Sequence, residues 1–281
     1  MSELRFDVVG AEGPKRYFGS LGKEQLAHAY CFTGPAGIGK KTFARRLAQS
    51  VLCLASKRGV LGYDGDCSSC ALFGREHTRH PDFLEHTGAL RIGDADSPLA
   101  FHEAEELSAR DLVRQLSLQS YSGGMRVLLL GDVDFATHEA ANALLRLLEE
   151  PPSGLVMILT TATPGRLLDT IRSRLIDVRF PLLSKRELGE ILTGLGYDAK
   201  AVKLGVSLGA GSVRRALAAL TPREESVRAA VIEWFFTSVA GKSPEESWAT
   251  RESLSEGLEI VKMLVRDWIV VGFDGNALLC D

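Results

Sequence analysis

Between Ala29 and Phe180 the chain alternates short apolar runs with longer segments whose apolar residues recur at helical spacing. This alternation is typical of a parallel β-sheet covered by helices. Each apolar run is suited to a sheet buried on both faces, and the predicted strands are Tyr30 to Thr33, Phe83 to His86, Val127 to Leu130, Leu155 to Thr160 and Ile176 to Phe180. The spacing predicts helices over Lys40 to Leu54, His102 to Gln119 and His138 to Glu150, with a Gly-, Asp- and Pro-rich loop from Leu90 to Ala100.

After Pro181 the pattern becomes helical and no further strand is predicted. Ser184 to Glu187 reads as a capping box that opens a helical segment running on to Leu217. A linker at Thr221-Pro222 then leads into a third helical stretch, Glu224 to about Val271. The predicted organisation is an α/β domain over residues 1–182 and helical domains over 183–221 and 222–281.

Composition limits the function. The 281 residues carry a formal charge of −3, so the chain lacks the strong positive charge of a protein that grips DNA alone. The N-terminus has no signal-peptide pattern and no apolar run is long enough to span a bilayer, which predicts a cytoplasmic protein with no membrane partner. Five cysteines without a secretory signal favour thiols or metal ligands over disulfides.

The first predicted strand runs into a glycine-rich loop, Gly34-Pro35-Ala36-Gly37-Ile38-Gly39-Lys40-Lys41-Thr42, which is followed by a helix. In this context glycines let backbone N–H groups converge on phosphate oxygens, and Lys40 would reach the terminal phosphates. The motif requires Ser or Thr after its lysine as a magnesium ligand, yet Lys41 stands there. We therefore expect Mg-ATP binding to be weak or absent.

The second half of such a site is a strand that ends in two adjacent acids, one for magnesium and one for the attacking water. The chain offers Asp132 after Gly131, followed by Val133 and Asp134. If the strand ends at Leu130, Gly131 stands where the metal-holding acid should be. If the strand ends one residue later, at Gly131, Val133 stands where the water-polarising acid should be. One carboxylate is missing in either register, which predicts slow hydrolysis or none.

Together these segments resemble the clamp-loader branch of the AAA+ ATPases, and within it the delta-prime subunits of bacterial DNA polymerase III. The resemblance covers about residues 5 to 220 and is most specific in Asn142 to Pro152. It also rests on Phe6 to Gly10, Ala27 to Tyr30, Gly39 to Thr42, Thr170 to Arg174 and Gly211 to Leu217. It implies an AAA+ domain, a helical lid, and a collar that here is incomplete.

The resemblance also implies roles for matching residues. Arg174 resembles the arginine finger that reaches ATP held by the adjacent subunit, where a planar cation neutralises charge on the transferred phosphoryl group. Arg214 resembles the lid arginine that senses nucleotide, and Thr161 falls near a sensor position. The implied partners are other clamp-loader subunits in a hetero-oligomeric ring, the sliding clamp, and primed DNA through the complex.

Cys67-Ser68-Ser69-Cys70, with Cys53 upstream, has the short spacing that zinc favours. The family resembled here carries a four-cysteine site at this point, and Asp64 stands where its fourth cysteine would be. Three cysteines and Asp64 could hold zinc; His77 or His80 as fourth ligand, and no metal at all, remain alternatives.

Two other functions remain open. One is an AAA+ subunit that binds and hydrolyses ATP itself, which Lys40 and Asp132 favour and Lys41 opposes. The other is a zinc-dependent DNA-binding module, which the negative net charge disfavours. Outside the resemblance, Leu258, Val261, Leu264, Val265 and Trp268 form an apolar helix face that packs in the core or against a partner.

Overall fold

The computed structural model describes residues 4–56, 59–74, 80–87, 124–133, 138–220, 227–244, 248–249 and 253–274. Within these ranges five strands form one parallel sheet in the order β2-β3-β4-β1-β5. They are β1 (Ala29–Thr33), β2 (Phe83–Thr87), β3 (Arg126–Gly131), β4 (Leu155–Thr161) and β5 (Ile176–Arg179). The predicted α/β class, a P-loop-type parallel sheet flanked by helices, is confirmed, and each predicted strand end lies within one residue of the observed one.

Helices cover both faces of this sheet. They are α1 (Glu12–Gly19), α2 (Lys40–Leu52), α3 (Ser68–Ala71), α4 (His138–Glu149) and α5 (Asp169–Arg172), with 3-10 turns at Lys23–Gln25 and Pro164–Arg166. The prediction for α2 was two residues too long because the backbone of Cys53 turns extended at the helix end. The predicted helix at 102–119 and loop at 90–100 lie outside the described residues.

Two apolar layers hold the sheet between the helices. On one face, Phe43 and Leu47 of α2 pack with Tyr30 and Phe32 of β1. On the other face, α4 contributes leucines to a cluster that also contains Leu128, Leu130, Met157 and Leu159 of the strands. Alternate residues of one strand point to opposite faces, so both layers are built from the same continuous apolar runs.

The expectation that every strand is buried on both faces was wrong for the two edge strands, β2 and β5. In β2 only Phe83 is buried. Of the four residues of β5 only Val178 is buried, and Ile176 is 40% exposed. The physical reason is position. Among the described strands β2 pairs with β3 alone and β5 with β1 alone, whereas all five residues of β1 are buried between β4 and β5.

The remainder of the described chain is helical. Its helices are α6 (Lys185–Gly194), α7 (Ala199–Gly209), α8 (Val213–Leu220), α9 (Val227–Val239) and α10 (Leu254–Asp274). The capping box is confirmed, since Ser184 Oγ accepts from the Glu187 amide at 3.2 Å and Glu187 Oε2 accepts from the Ser184 amide at 2.7 Å. The segment from Ser184 to Leu217 is three short helices rather than one.

The predicted stretch from Glu224 to Val271 is likewise two helices, α9 and α10. A small buried cluster is formed by Val231 of α9, Ile260 of α10 and Trp248 from the segment between the two helices. The three domain boundaries stay a prediction. In the part of the chain described here, none of the helices is long and apolar enough to cross a lipid bilayer.

Candidate functional site

The glycine-rich loop lies at the carboxyl end of β1, where ligands bind in open α/β sheets. Gly34, Gly37 and Gly39 have φ values of 139°, 75° and 93°, which residues with side chains rarely adopt. Gly39 is the residue before α2, so the loop leads directly into a helix N-terminus. The loop therefore has the glycine-dependent backbone that the sequence predicts, and phosphate binding by it stays a prediction.

Lys40 folds back onto this loop. Its Nζ donates to the carbonyl oxygens of Gly34 at 2.6 Å and Pro35 at 2.7 Å, and the residue is 7% exposed. Thr42, predicted as part of the same site, is exposed in the first turn of α2.

Lys41 crosses from α2 to the end of β3. Its Nζ lies 3.0 Å from Asp132 Oδ2, and both side chains are 32% exposed. Asp132 is the first residue after β3 and has a left-handed backbone, φ 56°; its amide donates to Thr160 Oγ1 at 3.2 Å. Because β3 includes Gly131, the acid that follows the strand is Asp132, and the next position is the buried Val133.

Gly131 makes room for Lys41. A Cβ at Gly131 would lie 2.9 Å from Lys41 Cδ and 2.8 Å from Thr87 Oγ1. Since heavy atoms do not approach a Cβ that closely, a carboxylate-bearing residue at this position would displace the lysine stem. Lys41, which replaces the magnesium-binding hydroxyl, therefore occupies the space that a side chain at position 131 would need.

Thr161 ends β4, which lies between β1 and β3. It is fully buried, and its Oγ1 accepts from the Thr163 amide at 3.0 Å. Sequence reasoning selected Thr161 and missed Thr160, whose hydroxyl is the group that supports Asp132. The only sequence signal that could have pointed to Thr160 was the pair of threonines at the end of the strand.

The N-terminus of α8 is hydrogen-bonded to the glycine-rich loop. Ser212 Oγ donates to the Ala36 carbonyl at 3.0 Å, and the Val213 amide donates to the Gly37 carbonyl at 2.8 Å. Arg214 is exposed, and its amide lies 3.4 Å from the same Gly37 oxygen. A Cβ at Gly37 would meet Arg214 Cβ at 2.4 Å. We name these contacts the loop–lid latch; the sequence pattern contained no sign of it.

Arg174 follows α5, outside the glycine-rich loop. Its side chain is 37% exposed, and Nη2 donates to Glu149 Oε1 at 2.8 Å. Nη1 donates to the Thr170 carbonyl at 2.8 Å. The structure thus presents a partly exposed guanidinium whose orientation is set by α4 and α5, and the carboxylate partner was not predicted.

The predicted metal ligands converge at the end of α2. One ligand atom from each of Cys53, Asp64, Cys67 and Cys70 lies within 4.8 Å of the others. Cys53 Sγ is 3.4 Å from Asp64 Oδ1 and 3.9 Å from Cys67 Sγ. Burial raises the pKa of the Cys70 thiol, and a divalent cation would reverse this shift because it stabilises the thiolate.

Lys23 lies beside this cluster. Its Nζ donates to the Cys53 carbonyl at 3.3 Å. Burial lowers the pKa of Lys23, while Cys53 and Cys67 oppose that effect. A cation at this point offsets the negative charge that three thiolates and a carboxylate would carry.

The alternative in which His80 is the fourth metal ligand is not supported, because the group of ligand atoms contains Asp64 and not His80. Its Nδ1 accepts from the Asp82 amide at 3.0 Å, so the proton is on Nε2, which lies 3.0 Å from Ser69 Oγ. Ser69 Oγ in turn donates to the Leu52 carbonyl at 2.7 Å. Both ring nitrogens are therefore engaged, and burial lowers the pKa of His80. The other alternative, His77, lies outside the described residues.

The chain is similar to known proteins. A family model described as "DNA polymerase III, delta subunit" matches residues 14–184. Subunit delta' of DNA polymerase III from Pseudomonas aeruginosa is 37% identical over 161 residues, which is 57% of this chain and 45% of that protein. The corresponding subunit of Bacillus subtilis is 32% identical over 193 residues, 68% of this chain and 52% of that protein.

Subunit gamma/tau of DNA polymerase III from Mycobacterium tuberculosis is 32% identical over 207 residues, 72% of this chain and 33% of that protein. The chain thus spans about half or less of the length of these relatives. A solved structure of a DNA polymerase III gamma subunit-related protein from Thermotoga maritima aligns with 91% of this chain and 71% of its own, at 17% identity and a TM-score of 0.42.

Proposed function

This chain belongs to the DNA polymerase III delta subunit family, and we propose that it is a delta-prime-like clamp-loader subunit that does not hydrolyse ATP itself. It acts as a fixed member of a ring of clamp-loader subunits, which loads a sliding clamp onto primed DNA. Its catalytic contribution is Arg174, supplied to ATP in the adjacent subunit. The observation that carries the proposal is the ion pair between Lys41 and Asp132.

The residues at the nucleotide site do not fit Mg-ATP. Magnesium in such a site is held by a hydroxyl after the loop lysine and by a carboxylate at the end of β3. Here the hydroxyl is replaced by Lys41, whose ammonium is bonded at 3.0 Å to Asp132, the carboxylate after the strand. A divalent cation would therefore have to compete with a covalently tethered cation, and no step of ATP hydrolysis is assigned to this chain.

The lid supports the same proposal. In an ATPase subunit, a lid that senses nucleotide must move with the bound ligand. Here the N-terminus of α8 is bonded directly to the Ala36 and Gly37 carbonyls, so the lid is held against the loop by protein contacts. A lid held in this way suits a subunit that keeps one shape through the loading cycle.

Arg174 suits a role in trans because its guanidinium is partly exposed. A planar, permanently charged group is what a phosphoryl-transfer site uses to neutralise charge in the transition state. The side chain already has fixed hydrogen bonds to α4 and α5, which leaves little ordering to be done when the neighbouring subunit docks.

The cluster at the end of α2 fits zinc. Three thiols and one carboxylate within 4.8 Å form an acceptable ligand set. Zinc bound there would be structural: it would tie the end of α2 to the loop of Asp64 and to α3. Cys53, Asp64, Cys67 and Cys70 would hold it, while Lys23 balances part of their charge.

Two measurements test the proposal. Calorimetric titration of the isolated chain with Mg-ATP should show no micromolar binding, and turnover should be absent; tight binding with hydrolysis would refute it in favour of a self-hydrolysing subunit. In a loader reconstituted with its partner subunits, Arg174→Ala should lower ATPase activity without changing assembly, because an arginine finger contributes about a thousandfold or more at the site it serves. Arg172→Ala, an exposed arginine of α5, is the matched control and should retain activity.

A further inference from the structure

An ion pair joins the end of α4 to the segment that carries Arg174. Arg174 Nη2 donates to Glu149 Oε1 at 2.8 Å, with the two side chains 37% and 50% exposed. Arg174 Nη1 donates to the Thr170 carbonyl at 2.8 Å and lies 3.4 Å from Ser173 Oγ. The guanidinium is thus held from two elements, and among the described residues Glu149 is the partner that comes from outside its own segment.

Glu149 stands where a carboxylate does not help its own helix. It is the last residue of α4 and is followed by Glu150 and then by Pro151-Pro152. The C-terminal end of a helix carries partial negative charge, so carboxylates there are unfavourable unless a cation is near. The stability of α4 therefore gives no reason for a carboxylate at position 149, whereas the ion pair with Arg174 does.

The geometry leaves the guanidinium able to bind a further anion. Arginine has five N–H donors in a fixed plane, and the bonds to Glu149, Thr170 and Ser173 use at most three of them. The same bonds already order a long side chain that would otherwise sample many rotamers. A carboxylate on one edge fixes the direction in which the other edge points.

We propose that Glu149 is a positioning residue for Arg174: it holds the guanidinium so that the remaining N–H groups face the phosphoryl group in the adjacent subunit. The inference rests on the role of Arg174 in trans proposed above. Glu149 itself touches neither nucleotide nor substrate and acts only through the arginine. Replacing its carboxylate should therefore slow turnover without weakening ATP binding by the neighbouring subunit.

The experiment uses the reconstituted loader and measures kcat and KM for ATP. Glu149→Ala should lower kcat about threefold to tenfold, because misorientation of a catalytic group typically costs rate rather than binding, while KM and assembly stay unchanged. Glu149→Gln keeps an oxygen that can accept the Arg174 hydrogen bond and should recover part of the loss. Glu150→Ala removes the adjacent carboxylate as the matched control and should match the unmodified loader.

The double variant separates positioning from a general effect. In an Arg174→Ala background, Glu149→Ala should cause no further loss, because a residue that acts through the arginine has nothing left to position. Additive losses in the double variant would overturn the inference, and so would an unchanged or faster rate in Glu149→Ala alone. If the Arg174→Ala loader were slow in these cases, the proposed function would still stand. An Arg174→Ala loader of normal activity would overturn both.

Discussion

Gly37→Ala tests whether the loop–lid latch holds α8 in place. Gly37 has φ 75°, and a Cβ there would lie 2.4 Å from Arg214 Cβ and 2.6 Å from Ser212 Oγ. The first of these atoms belongs to a side-chain root that follows the backbone, so α8 must move rather than a flexible side chain. That movement would break the bonds from Ser212 Oγ to Ala36 and from the Val213 amide to Gly37.

The size of the effect follows from two terms. A residue with a side chain in the left-handed region costs about 1–2 kcal/mol. The two lost hydrogen bonds add about 1 kcal/mol each, so Gly37→Ala should lower the free energy of unfolding by about 3–4 kcal/mol. Gly39→Ala is the matched control: φ there is 93°, yet a Cβ would meet no atom within 4 Å, which leaves only the backbone term of about 1–2 kcal/mol.

Urea unfolding of the two variants and of the unmodified chain measures these differences, and hydrogen exchange at the Val213 amide reports the latch itself. Exchange should be faster in Gly37→Ala than in Gly39→Ala. If both variants lost the same stability and the Val213 amide stayed protected in each, the lid would not depend on the loop and the reasoning would be wrong.

Two further predictions concern the metal cluster and its surroundings. Asp64→Ala should weaken zinc binding by more than the 10–100-fold typical of lost outer-shell partners, measured by competition with a chromophoric chelator. The control, Asp66→Ala, changes an exposed neighbouring residue and should bind zinc as before. Equal zinc affinity in the two variants would exclude Asp64 as a ligand. Because burial lowers the pKa of His80 below its usual 6.5, its contribution to stability is complete above pH 6.5 and is lost as the pH falls through the lowered value. His80→Gln should therefore flatten the decline in unfolding free energy on acidification, measured by urea titrations at constant zinc; an unchanged slope would show that His80 does not titrate on unfolding.

The order of the strands along the chain and the position of each motif at a strand end could be predicted from sequence. A central strand such as β4 must be apolar on both faces, so Leu155 to Thr160 is recognisable from its residues alone. The glycine-rich loop and the cysteine spacing were equally visible because local backbone geometry and short ligand spacing depend on neighbouring residues. The partial exposure of the edge strands β2 and β5 could not be predicted from the sequence, because it depends on which strands lie beside them in the sheet.

The contacts on which the proposed function rests came from the tertiary structure. Lys41 and Asp132 are 91 residues apart in the chain, and Arg174 is 25 residues from Glu149. Sequence alone showed that a magnesium ligand was missing, but only the fold showed that a lysine ammonium is bonded to the remaining carboxylate and that Gly131 makes room for it. Periodicity reports which residues are buried, whereas the pairing of polar side chains depends on distances of a few ångströms that are set when the strands and helices pack.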